Sequence, residues 1–577
     1  MRNRRSLHRC TTTILALVLA VALSACGGGG PEAVEYASGG GTTMPPKEAP
    51  DTAAEASRFL AQATYGGTET EIARMQRSRY VDWIVDQFKK SVNALLPTFT
   101  MRLSADPALE ISTQHVNDAY WKQASLADDQ LRQRVTFALS QIFVVSLNDD
   151  AVSGYPLGLA SYYDTLAANA FLNYRQLLEA VALHPMMGLY LSHMRNQKEN
   201  PARGRVPDEN FAREVMQLFT IGLHELSPDG TVRLDARNEP IETYTNEDVT
   251  GMAKVFTGWS WGGPDDTDAR FNGSTKDPKR ETIPMRPYPK YHSTAEKRFL
   301  GVVVPAQSTP DPHASLRAAL DRLYSHPNVG PFIGKQLIQR LVTSNPSPQY
   351  VARVAAQFDD NGEGTRGDMR AMIRAVLLDV EARDAVAAAN PVFGKLREPV
   401  LRLAHWIRAF GARSVSGDYR IGNTDSAGSS IGQSAYRAPS VFNFYRPGYV
   451  PPNTPVADAG MVSPEMQITH ETSVAGYLNT MRTVVEKGIG SGNPRDVRTD
   501  YDEELKVAGS PEQLVERMNL LLLHGAMSAE LRAQITQAVA SIEVSTTDAG
   551  GADRARRNRI YLAVYLAMAS PEYLILR

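Results

Sequence analysis

The run Asp208-Glu209-Asn210-Phe211-Ala212-Arg213-Glu214 sets three carboxylates, an amide and a guanidinium beside an apolar ladder that continues to Ile221. Carboxylates in such a run can move protons as general acids or bases, or hold a divalent cation together with imidazoles. Wound into a helix at about 100° per residue, Leu218, Phe211, Val215, Phe219, Ala212 and Met216 share one broad arc. Glu214 falls just beyond Leu218, at the border of that face, with Asn210 and Gln217 further out. A carboxylate at such a border needs a partner, because desolvation alone raises its pKa or costs several kcal/mol. Two readings follow. Glu214 is either an acid or base set with Asn210 in a cleft, or a brace that bonds an arginine or backbone amides of a neighbouring helix, with Arg397 as the expected partner. Arg213 lies about 100° away and is not expected to pair with Glu214.

His184, His193 and His292 are the imidazoles that could complete a metal site with Asp208, Glu209 or Glu214. The set expected to hold a metal or ligand is His184, His292 and Glu209, although no His-Glu-x-x-His spacing supports it. The bland readings are that His184, before Pro185, opens a helix and that His193 is a polar helix residue. The stretch Phe358–Arg370 approximates half of an EF-hand loop, but Arg370 stands where a bidentate Glu is required. A glycine-rich turn with Asp368 near the start of the next helix fits better. No Gly-x-Ser-x-Gly elbow occurs, which leaves Ser260 and Ser440 in loop-like contexts as weak nucleophiles. The aromatic run from Val441 to Pro447 either plugs a junction or forms a wall for a sugar or peptide, with Arg446 to orient it.

The elements that must position these groups are helices. Apolar residues recur at three and four spacings in Phe59/Leu60/Ala63, Val81/Ile84/Val85/Phe88 and Leu131/Val135/Ala138/Leu139/Ile142. Thr245 with Asp248 three places on is a capping signal for a further helix. More helices are expected over 315–324, 332–342 and 369–380. Asp229-Gly230 predicts a small hairpin at 227–232, and residues 262–312, rich in Pro, Gly, Asp and Thr, an irregular excursion. The fold class is therefore mainly α: a multi-helix body of two packed lobes, 52–261 and 313–577, joined by the excursion 262–312. More than 500 residues exceed what one core usually organises.

The chain opens with Arg2, Arg4, Arg5 and Arg9 ahead of an apolar run over 14–23 and Leu23-Ser24-Ala25-Cys26. That is the pattern of a signal peptide over 1–25, too short to span a bilayer, and the quartet resembles a lipobox whose Cys26 is lipidated. Asn3-Arg4-Arg5-Ser6-Leu7 faintly resembles a twin-arginine signal, so the export route is open. Residues 26–51 carry almost no large apolar side chain and read as a flexible tether. Gly27 after the cysteine resembles lipoproteins sent to the outer membrane, which places the expected location in the cell envelope. Only Cys10 and Cys26 occur in the chain, so no disulfide or cysteine nucleophile is expected in the body. With 61 basic against 63 acidic residues, nothing marks a nucleic-acid surface.

His184–Asn196, Asp208–Leu223, Thr243–Trp259, Tyr291–Gly301 and Phe393–Gly411 together resemble the domain of unknown function 1800 family, a group of exported bacterial proteins. The likeness runs from Arg58–Gly66 through Ser440–Pro452 to the end. It implies a helical fold and export, and no established activity. Many members carry histidines where this chain has Phe219 and in the helix around Leu139 to Phe143, so this chain lacks part of any histidine chemistry there. Members are often encoded beside an exported protein resembling sulfatases and alkaline phosphatases, which the resemblance offers as a partner. The expected role is binding or assembly at the cell envelope. The alternative is a metal-assisted or carboxylate-based hydrolase of an envelope or extracellular polymer, with Glu214 and Asn210 at its centre. No cofactor is named by the sequence.

Overall fold

The computed structural model describes residues 47–577 except 276, 278, 385–389 and 391. The expected leader over 1–25, Cys26 and the expected tether as far as residue 46 lie outside the described residues. The body is mainly helical, with short antiparallel two-stranded ribbons as its sheets among the described residues. No helix among those residues is long and apolar enough to cross a membrane.

The local signals form as their chemistry dictates. Thr52 caps the helix Ala53–Ala63 by accepting from the Glu55 amide, and Phe59, Leu60 and Ala63 are fully buried along one face. Thr245 and Asp248 close a reciprocal capping box on the helix Asn246–Val255. Asp229-Gly230 turns a strip in which Leu226 bridges Val232, and the strip folds back once more through a Leu234 to Pro240 bridge. The excursion after Gly262 holds short helical turns and the strand Arg286–Pro287, which pairs with Trp259–Ser260. At 358–370, Asp360 and Asn361 accept from the amides two and four residues ahead and Asp368 caps the helix Met369–Leu378.

The helix Asn246–Val255 lies against the strand Lys297–Phe299 at a distance that only glycine allows. A Cβ on Gly251 would sit 1.7 Å from the Arg298 carbonyl oxygen.

One contiguous core runs from Ala56 to Tyr573 and draws on both halves of the chain. Arg408 fastens two distant segments, with Nε donating to the Gly66 carbonyl at 2.6 Å and Nη2 to Glu71 at 2.7 Å in one, and Nη1 to the Ser125 carbonyl at 2.8 Å in the other. Ser57 donates to the Leu520 carbonyl at 3.1 Å, and the C-terminal strand Ile575–Leu576 pairs with Lys395–Leu396.

At the centre lies a cluster of buried charges. Lys395 Nζ stands 2.9 Å from Glu465 and 3.6 Å from Glu398, all three side chains being at most 2% exposed. Lys395 also donates to the Arg340 carbonyl at 2.8 Å, as does Arg134. Gln141 and Gln433 both donate to Glu398 Oε2, at 2.5 and 2.8 Å. Burial pushes the Glu398 carboxyl up, but the Lys395 and Arg134 charges hold it below the usual range. Glu465 is raised by its burial and by the neighbouring Glu398 charge.

Lys395→Met would leave two carboxylates buried without their shared cation, so a loss on the order of 3–5 kcal/mol in unfolding free energy is expected. Denaturant unfolding of the parent and the variant measures it.

Candidate functional site

The helix Asn210–Gln217 carries the acidic run into the body with Phe211, Ala212, Val215 and Met216 buried. Its acids are spent differently from one another. Asp208 Oδ1 accepts from the Asn210 amide at 2.9 Å and from Ser192 Oγ at 3.0 Å, which closes the loop onto the helix start. Asn196 bonds the Asp208 backbone on both sides. Glu209 accepts from Thr250 Oγ1 at 2.8 Å and faces Arg213 at 3.7 Å. Asn210 is exposed and reaches Ser192 Oγ at 3.4 Å.

Glu214 is the exception. The residue is 8% exposed, forms no ion pair, and its Oε2 has no hydrogen-bond partner among the described residues. Burial raises its pKa, offset in part by the Arg213 charge. Arg397 is not its partner: that guanidinium donates to His405 Nδ1 at 2.8 Å and His524 Nε2 at 3.1 Å and lies 4.3 Å from the Tyr573 ring centroid. The expected brace is corrected on this point, because the chain places Arg397 in a separate pocket of imidazoles.

The histidines are committed to the fold. His184 Nδ1 caps the helix Pro185–Tyr190 by accepting from the Met186 amide, and its Nε2 meets Ser161 Oγ at 3.3 Å. His292 bonds the Thr257 carbonyl at 2.8 Å and Ser315 Oγ at 3.0 Å. His193 bonds the Ala182 carbonyl and stacks on Phe211 at 3.8 Å. Burial pushes them down to about 3, about 4 and about 4 respectively, so all three are neutral in the folded protein. Among the described residues no three His, Cys, Asp or Glu side chains form a group that could hold a metal. His184, His292 and Glu209 thus do not converge.

Phe219 and Phe143 do meet, with ring centroids 5.1 Å apart and both fully buried. The pair is an apolar contact inside the core.

A cleft that the sequence did not reveal opens elsewhere. It measures about 780 Å³ and lies along the helix Thr113–Leu126, between Asn93–Thr98 and the segment 418–420. Gln114, Asp118 and Lys122 line it at four-residue spacing, with His115 beside them and Arg102, Asp418, Arg420 and Ser491 opposite. Arg102 and Asp418 are ion-paired, and Arg420 approaches Asp418 at 3.3 Å. Asp118 Oδ1 accepts from the Gly422 amide at 2.8 Å and from Gln114 at 3.0 Å, while Oδ2 has no hydrogen-bond partner among the described residues. Burial raises Asp118 to about 6, which gives this cleft a carboxyl able to change protonation near neutral pH. The four-residue spacing was a readable signal of a shared helix face, but its facing wall lies some 300 positions away in sequence.

Glu214 gives a stability test with a definite sign. A carboxyl whose folded pKa lies above its unfolded value favours folding most in its protonated form, so stability is lost as pH rises from about 4.5 through the folded value. Glu214→Gln should equal the parent in acid and match or exceed it at pH 7 in denaturant unfolding. A loss of several kcal/mol at pH 7 would mean that the carboxylate is braced after all.

The family model described as "Protein of unknown function (DUF1800)" matches residues 58–575. No curated protein and no solved structure matches the chain.

Proposed function

The chain belongs to the DUF1800 family, and from that premise we propose an exported protein, lipid-anchored through Cys26 at the outer membrane, that serves as a binding or assembly component of the bacterial cell envelope. The observation that carries this reading is the cleft along Thr113–Leu126. Its walls offer donors and acceptors of both signs, and Arg102 and Asp418 already neutralise one another, so the occupant is a polar segment that exchanges hydrogen bonds rather than a highly charged polymer. Leu126, 59% exposed on the same helix, supplies an apolar rim. Such a mixture suits a segment of another exported protein, and the partner proposed is one resembling sulfatases and alkaline phosphatases.

The hydrolase alternative draws on Asp118. A carboxyl raised to about 6 with one free oxygen in a cleft is suited to general acid or base work on an envelope polymer.

Three experiments bear on these readings. Cys26→Ala should move the protein from the membrane fraction to the soluble periplasmic or secreted fraction; continued attachment would mean that the anchor is misassigned. A photo-crosslinking residue at position 126 in cells should join the protein to an exported partner, whereas one at Val232, exposed on the 223–243 strip, should not. Equal labelling from both positions would remove the cleft as the binding surface. If Asp118→Asn abolishes breakdown of an envelope polymer by the purified chain, the hydrolase reading takes precedence.

A further inference from the structure

A second pocket, of about 390 Å³, lies among the helices Glu471–Lys487, Ala529–Ala540 and Ala549–Ala569 and the residues that follow. Its walls are overwhelmingly apolar, with Leu478, Leu531, Ile535, Leu566 and Leu574 among them, and its size falls within the range of small-molecule sites, roughly 300–1,000 Å³. One charged side chain lines it. Arg402 is 7% exposed, its Nε donates to the Arg397 carbonyl at 2.6 Å, and its guanidinium lies 4.7 Å from the Tyr477 ring centroid. Its two terminal nitrogens have no hydrogen-bond partner among the described residues, and no carboxylate lies within ion-pair distance of it. Arg397, the neighbouring guanidinium, faces only His405, His524 and Tyr573 and is equally without an acid. The Glu465 charge acts on Arg402 only from beyond ion-pair distance, so the guanidinium lacks a directly bonded anion, and Arg is the side chain that meets a carboxylate with two parallel hydrogen bonds.

We propose that this pocket binds a long-chain fatty acid, its acyl tail along Leu478, Leu531, Ile535 and Leu566 and its carboxylate on the terminal nitrogens of Arg402. Val474, 45% exposed on the same helix as Tyr477, stands at the rim where the tail enters. The ligand class follows from the pairing of one guanidinium without an ion-pair partner with a pocket whose walls are mostly apolar. A neutral apolar guest would leave the cation unmatched, and a polar anion would leave the walls unsatisfied. This site is separate from the cleft along Thr113–Leu126 and shares no residue with it.

The test uses the full chain carrying Cys26→Ala, so that no acyl anchor competes; if Cys26 bears no lipid the substitution is silent and the assay stands. A fluorescent fatty acid is titrated in and displaced with hexadecanoate or with hexadecanol. The expected result is saturable one-to-one binding, displacement by hexadecanoate at least tenfold better than by hexadecanol, and at least tenfold weaker binding by Arg402→Gln, with Arg402→Lys in between. Should Arg402→Gln fail to fold, Val474→Trp at the exposed rim should block entry in a folded protein. Absence of saturable binding to the parent, equal displacement by the alcohol, or full binding by Val474→Trp would each overturn the proposal. Self-association of the chain that Val474→Trp abolishes, with no fatty-acid binding, would assign the face to a second copy instead.

Discussion

The structure depends on holding charge inside a helical core. Lys395 between Glu398 and Glu465 is the clearest case: two acids and a base, all at most 2% exposed, with Gln141 and Gln433 donating to Glu398 Oε2 and the Arg340 carbonyl accepting from both Lys395 and Arg134. These groups come from the helix Gln130–Ser140 and its C-cap, the helix Val329–Leu341, the segments before Pro399 and at Pro464–Ile468, and the loop that carries Gln433. Hydrophobic burial alone is non-directional and would let such helices slide. Hydrogen-bonded charges have fixed partners, so they set which helix meets which.

The same economy explains where chemistry is and is not available. His184, His193 and His292 look like ligands in sequence, yet each has a backbone carbonyl, amide or hydroxyl to satisfy inside the body, and burial keeps each neutral. A neutral buried imidazole tied to a carbonyl is a structural hydrogen-bond donor. Glu214 and Arg402 are the contrary pattern. Glu214 Oε2 is buried with no hydrogen-bond partner, and the terminal nitrogens of Arg402, which lines a pocket, have none among the described residues. Unmatched buried polar atoms mark the places where the fold alone does not account for the residue.

Much of this was legible along the chain. Thr245 and Asp368 announced helix starts because a cap needs only an oxygen within one turn, and the three- and four-residue recurrence of apolar side chains marked the buried faces. Glu214's position at the edge of a buried face followed from helical geometry, and its burial agrees with it. The partner for that carboxylate was not legible. Arg397 was a reasonable cation for it by type, but type says nothing of distance, and the guanidinium went to His405 and His524.

What the sequence determined by itself is what local physics decides: a mainly helical chain, its caps and turns, and an acidic run on the margin of a core. What only the tertiary structure decided is which distant groups share a space. Asp118 and Gly422 bond across 304 positions, Arg408 reaches Gly66 across 342, and Phe143 finds Phe219. Helical periodicity fixes which way a side chain points relative to its own axis, within a turn or two. How one axis lies on another depends on close packing and on buried hydrogen bonds summed over the whole body, and no short stretch of sequence contains that sum.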